Sequence, residues 1–62
     1  MTTYLVTTTH EELSHNYALL VTRFEIVRSS HDTETYEVDT NDPVSVEQLF
    51  DTDRAVLSYR DI

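Results

Sequence analysis

The chain has no glycine, no cysteine, no tryptophan and no lysine, and only one proline in 62 residues. Without glycine it has no phosphate-cradling loop, and the two-residue Asn-Gly and Asp-Gly hairpin turns are closed to it. Without cysteine it has no disulfide framework, no thiolate zinc site and no thiol nucleophile. Long apolar runs are missing as well. Nowhere does the sequence approach the ~18 consecutive apolar residues of a membrane span. The opening Met1-Thr2-Thr3-Tyr4 carries no basic segment, so a cytoplasmic protein that does not engage membranes is expected.

Positive charge is scarce: Arg23, Arg28, Arg54 and Arg60 face twelve carboxylates, for a net charge of −8. Direct nucleic-acid binding needs many Lys or Arg contacts to phosphate, and this charge opposes it. The imbalance is also local. Asp32, Glu34, Glu37, Asp39, Asp42, Glu47, Asp51 and Asp53 lie within 22 consecutive residues that contain no basic side chain. On either side the charges nearly cancel, at −1 over residues 1 to 31 and +1 over residues 54 to 62. A field of this kind attracts cationic partners over roughly a Debye length of ~8–10 Å and repels nucleic acid and anionic membrane. These eight acids are therefore the candidate partner-binding residues.

Sixty-two residues make a single domain, 1–62. A chain this short buries only ~60% of the surface it exposes when unfolded, so stability is marginal, and homodimerisation is the remaining reinforcement. Leu, Ile, Val and Phe make up 17 of the 62 residues. That fraction exceeds the ~20% below which a highly charged chain stays disordered, so the chain is expected to fold.

Thr3 to Thr8 is rich in β-branched and aromatic residues and reads as a first strand. Thr9 stands three residues before Glu12, the spacing of a capping box, so a helix is expected from there to about Asn16. From 17 to 28 a helical stripe (Tyr17, Leu20, Phe24, Val27) competes with a strand over 18–28. The strand is preferred because Val21, Thr22, Phe24, Ile26 and Val27 suit a sheet, and it places Phe24 and Ile26 opposite Arg23 and Glu25.

Ser29 to Asp32 supplies a turn, expected as a loop of about four residues in which Asp32 is the residue that best tolerates a left-handed conformation. Thr33 to Asp39 then alternates Glu34, Tyr36, Val38 against Thr33, Thr35, Glu37, Asp39. Asp42-Pro43 signals a helix start, with Val46, Leu49 and Phe50 on its apolar face. A last strand sets Ala55, Leu57, Tyr59 against Val56, Ser58, Arg60. The expected class is α+β, a small antiparallel sheet in β-α-β-β-α-β order, the ferredoxin-like order in compressed form.

Catalytic and metal readings find little support. Glu12 and His15 share a helix face, but His10 and His15 point apart, and di-iron sites need further motifs. Asp39 to Asp42 opens like a calcium loop, but it lacks the glycine at position six and the glutamate at position twelve. No serine sits in a nucleophile elbow, and an open acidic stretch does not raise a carboxyl pKa for acid–base work. Tyr4, Tyr17, Tyr36 and Tyr59 fall on apolar faces and read as packing residues rather than stacking platforms.

No enzyme and no cofactor is expected. The expected function is a non-enzymatic acidic protein-binding module. In the sharpest form of this expectation the small, acidic, cysteine-free chain resembles in composition the inhibitors phages use against restriction or CRISPR nucleases, and that resemblance implies that it fills a nucleic-acid groove by charge mimicry. Such mimicry needs acids from several elements. Carboxylates on one strand face recur every ~6.6 Å, whereas duplex DNA carries one charge per ~1.7 Å. Glu37, Asp39 and the helix acids are expected to form one continuous patch. The alternative is a small accessory subunit that assembles through its sheet face or edge, its charge serving solubility.

Overall fold

The computed structural model describes residues 1–9 and 17–62. Four strands and one helix follow in the order β1 (Thr2–Thr9), β2 (Val21–Ser29), β3 (Thr33–Thr40), α1 (Pro43–Thr52) and β4 (Val56–Asp61). The strands form one sheet in the order β2-β3-β1-β4, and every neighbouring pair is antiparallel. The protein is thus a small α+β fold. The helix expected from Thr9 to about Asn16 lies outside the described residues, so the six-element order with two helices is not established.

Residues 17–28 resolve in favour of the sheet. Tyr17 to Leu20 make a turn closed by the Leu20 amide on the Tyr17 carbonyl at 3.0 Å, and β2 begins at Val21 rather than at Ala18. The β2–β3 loop closes differently from expectation. No described residue, Asp32 included, has a positive φ. The Ser30 amide instead donates to the Thr33 carbonyl at 2.8 Å, and the Ser30 hydroxyl also reaches Thr33.

Helix α1 starts as its sequence dictates. The Asp42 carboxylate accepts from the Ser45 amide at 3.2 Å, and Pro43, which has no amide to leave unpaired, opens the first turn. Val46 and Phe50 are buried beneath the helix, and Leu49 packs against the core from its margin. They meet Tyr4 and Val6 of β1, Val38 of β3 and Tyr17. All six aromatic rings join one network, from Tyr36 through Phe24, Tyr17 and Phe50 to Tyr4 and Tyr59, with centroids 4.5 to 6.0 Å apart. The core is rich in aromatic rings, and several large aliphatics lie outside it, Leu19 and Val44 being 97% and 69% exposed.

Both edge strands are bulged. The register of β2 slips at Thr22 and at Val27, and that of β4 slips at Leu57. An extra residue changes which face the next side chain takes. The expected alternation of Ala55, Leu57 and Tyr59 therefore breaks. Leu57 is 56% exposed, while Val56 packs against the core.

Candidate functional site

The helix covers one face of the sheet, and no other described element covers the opposite, open face, which divides the eight candidate acids. In β3, Tyr36 and Val38 face the helix, so Glu37 and Asp39 must face away from it. On the open face the residues form cross-strand rows: Arg23–Asp39–Thr3, then Glu25–Glu37–Leu5–Arg60, then Arg28–Thr35–Thr7–Ser58. Glu25 directly opposite Glu37 is a repulsive pairing. Arg23 offsets it. Its guanidinium donates to Asp39 at 2.8 Å, to Glu25 at 3.1 Å and also to Glu37. Asp39 further accepts from the Thr3 hydroxyl at 2.8 Å. The Arg23 guanidinium, followed by that hydroxyl, holds the Asp39 carboxyl below its ordinary range.

The helix-side acids meet tyrosines rather than arginines. Tyr4 donates its hydroxyl to Glu47 at 2.5 Å, Tyr59 to Asp51 at 2.9 Å and Tyr17 to Asp53 at 2.9 Å. Glu47 and Asp51 lie one turn apart, ~6 Å along the helix. Asp61 of β4 sits opposite Tyr4 in register, on the same side of the sheet. Burial first, then the bond to Glu47, pushes the Tyr4 phenol above its ordinary value, with the Asp61 charge adding to the shift. Tyr17 rises through burial and then its bond to Asp53. Tyr59 rises first through its bond to Asp51. Among the described residues, none of Asp42, Glu47, Asp51, Asp53 and Asp61 pairs with an arginine.

Two candidates remain. Glu34 is half-buried on the helix side near the β2–β3 hairpin, and Asp32 is exposed at its tip, 3.7 Å from His31. The structure thus brings Asp42, Glu47, Asp51 and Asp53 together on and around α1, with Glu34 on the same side of the sheet. Glu37 and Asp39 lie across the sheet from them. Sequence reasoning missed the Arg23 hub, although the alternation that put Arg23 and Glu25 on one face of β2 was its visible half. It also missed the three tyrosine–carboxylate bonds, which join residues 36 to 43 positions apart or across the α1–β4 turn.

No group of His, Asp and Glu among the described residues is arranged to hold a metal ion. His10, Glu12 and His15 lie outside them. Asp42 caps the start of α1 and Asp53 its end, Asp53 also accepting from the Ala55 amide at 2.9 Å. No described helix is long and apolar enough to cross a membrane. No protein-family model matches the chain, nor does any curated protein or solved structure.

Proposed function

We propose that this protein is a non-enzymatic binding module that presents the helix side to a cationic protein surface. One observation carries the reading: the open-face acids are gathered by Arg23, while among the described residues Glu47, Asp51 and Asp53 pair with no arginine and accept from tyrosine hydroxyls. A carboxylate that accepts from a phenol keeps its full charge, and it loses less side-chain entropy when a partner binds. Net charge and fixed position together favour fast, salt-sensitive association with a basic surface.

A nuclease groove is the narrower form of this reading. The ~6 Å rise from Glu47 to Asp51 is sparser than the ~3.4 Å per charge of one DNA strand. Charge mimicry would therefore draw on Asp42, Asp53, Asp61 and Glu34 as well as the helix. The test is affinity capture from the cells that make the protein, at low and high salt, with and without duplex DNA. Capture that weakens with salt and is displaced by DNA supports a groove. Weakening with salt but no displacement supports another basic surface. Capture indifferent to salt removes the electrostatic reading.

A second reading, assembly through a sheet edge, is favoured by the exposure of Ile26 and Val27 on β2 and of Leu57 on β4. The bulges at Val27 and Leu57 oppose plain strand addition there. Sedimentation of the wild type beside Val27→Asp and Leu57→Asp tests it, since an edge-assembled dimer should fall apart in one of the variants.

A further inference from the structure

The open sheet face contains a depression of about 290 Å³, at the lower end of the ~300–1,000 Å³ typical of small-molecule sites. Thr35, Thr7 and Ser58, one cross-strand row, form its floor with Leu5 beside them. Arg28 flanks it from edge strand β2 and Arg60 from edge strand β4.

Two observations bear on these arginines, and Arg54 shares the first but not the second. Carboxylates outnumber guanidinium groups twelve to four, and Arg23 alone gathers three of them. Yet among the described residues neither Arg28 nor Arg60 makes an ion pair. The second observation is the bulge at Val27. Regular alternation after the Ile26–Tyr36 pair would set Val27 opposite Thr35 and Arg28 opposite Glu34, on the helix side. The bulge instead sets Arg28 opposite Thr35, on the open face. An irregularity of this type re-aims a side chain and is common beside functional sites. Here it moves a guanidinium from a carboxylate neighbour to a row of hydroxyls.

We propose that this depression binds a phosphate group, with Arg28 and Arg60 donating from two sides and the Thr7 and Ser58 hydroxyls from the floor. A planar carboxylate presents its acceptor sites in one plane, where a single guanidinium fork engages both oxygens. A tetrahedral oxyanion can accept from forks on two sides and from below at once, and this face sets Arg28 and Arg60 on opposite edge strands with a row of hydroxyl residues between them. The source is free phosphate or a phosphomonoester, and the two share this chemistry. The site does not rest on the helix-side reading, because it lies on the opposite face of the sheet.

The test is amide NMR titration of the whole chain with inorganic phosphate, with glycerol 3-phosphate, and with sodium chloride at matched ionic strength. Saturable shifts at Thr7, Thr35 and Ser58 are expected with the phosphates and not with chloride. Tighter binding of glycerol 3-phosphate identifies a monoester site, and equal binding identifies a site for the free ion. Arg28→Gln and Arg60→Gln should each weaken binding about tenfold or more, while the exposed Arg54→Gln leaves it unchanged. If a Gln variant does not fold, the corresponding Lys variant keeps the stem and charge but loses the fork, and binding should still weaken severalfold. Shifts that do not saturate, or shifts matched by chloride, overturn the proposal. So do variants that melt earlier yet bind as well, because the arginine stems would then only cover the sheet.

Discussion

The hydroxyl of Tyr4, in central strand β1, donates a 2.5 Å hydrogen bond to Glu47 of α1 and so ties the middle of the sheet to the helix that covers it. The Tyr4 ring also packs edge-on against Phe50 and Tyr59. Tyr4→Phe keeps these ring contacts and removes only the hydroxyl, and the half-exposed Glu47 regains water. The expected cost is about 1 kcal/mol, a fall of ~4–8 °C in melting temperature for a domain of this size. Differential scanning calorimetry checks it, and an unchanged melting point would mean that the bond contributes nothing.

Phe50 touches Tyr4, Tyr17 and Tyr59 and is 2% exposed. Truncating such a side chain costs ~3–5 kcal/mol, against a total stability of ~3–9 kcal/mol for a chain of this length. Phe50→Ala should therefore lose much of its stability and melt far below the wild type. A cooperative melt close to that of the wild type, followed by circular dichroism, would show that the aromatic network is not what holds the helix down.

Arg23→Gln leaves Glu25, Glu37 and Asp39 facing one another without a cation. The urea midpoint should fall, and the deficit should shrink as salt screens the repulsion. The depressed Asp39 carboxyl gives the wild type stability that is full above the ordinary Asp value of ~3.9 and is lost as pH falls below it. In Arg23→Gln this acid limb should flatten, and the carboxyl should titrate nearer its ordinary value by NMR.

The raised phenols of Tyr4, Tyr17 and Tyr59 work in the opposite direction. A phenol whose folded value exceeds its unfolded ~10 contributes stability that is complete below ~10 and is lost as pH rises beyond it. Ultraviolet absorbance should show these three ionising late and together with loss of the near-ultraviolet dichroism. Reversible ionisation of all four tyrosines near ~10, with the fold intact, would contradict the burial and bonding described above.

Much of the fold is legible in the sequence, because period and capping are local. The Asp42-Pro43 start, the Val46–Leu49–Phe50 face and the alternation of β3 all stand as read. The bulges at Thr22, Val27 and Leu57 were not legible. They arise where edge strands adjust to neighbours far away in sequence, and they moved Leu57 outward and Arg28 to the open face. The acidic run was legible as composition, but its division between faces was not. Asp39 and Asp42 are three residues apart, yet one belongs to the open face of β3 and the other caps the helix on the far side of the sheet.

If the helix side is the partner-binding face, its charge matters and that of the open face does not. The most direct measurement is titration calorimetry of the captured partner against Glu47→Gln/Asp51→Asn/Asp61→Asn and against Glu25→Gln/Glu37→Gln, both first shown to be folded. Affinity should fall at least about tenfold in the helix-side triple variant, with a flatter salt dependence, and hold in the open-face double variant. Equal losses in both, or a loss confined to the open-face variant, would contradict it.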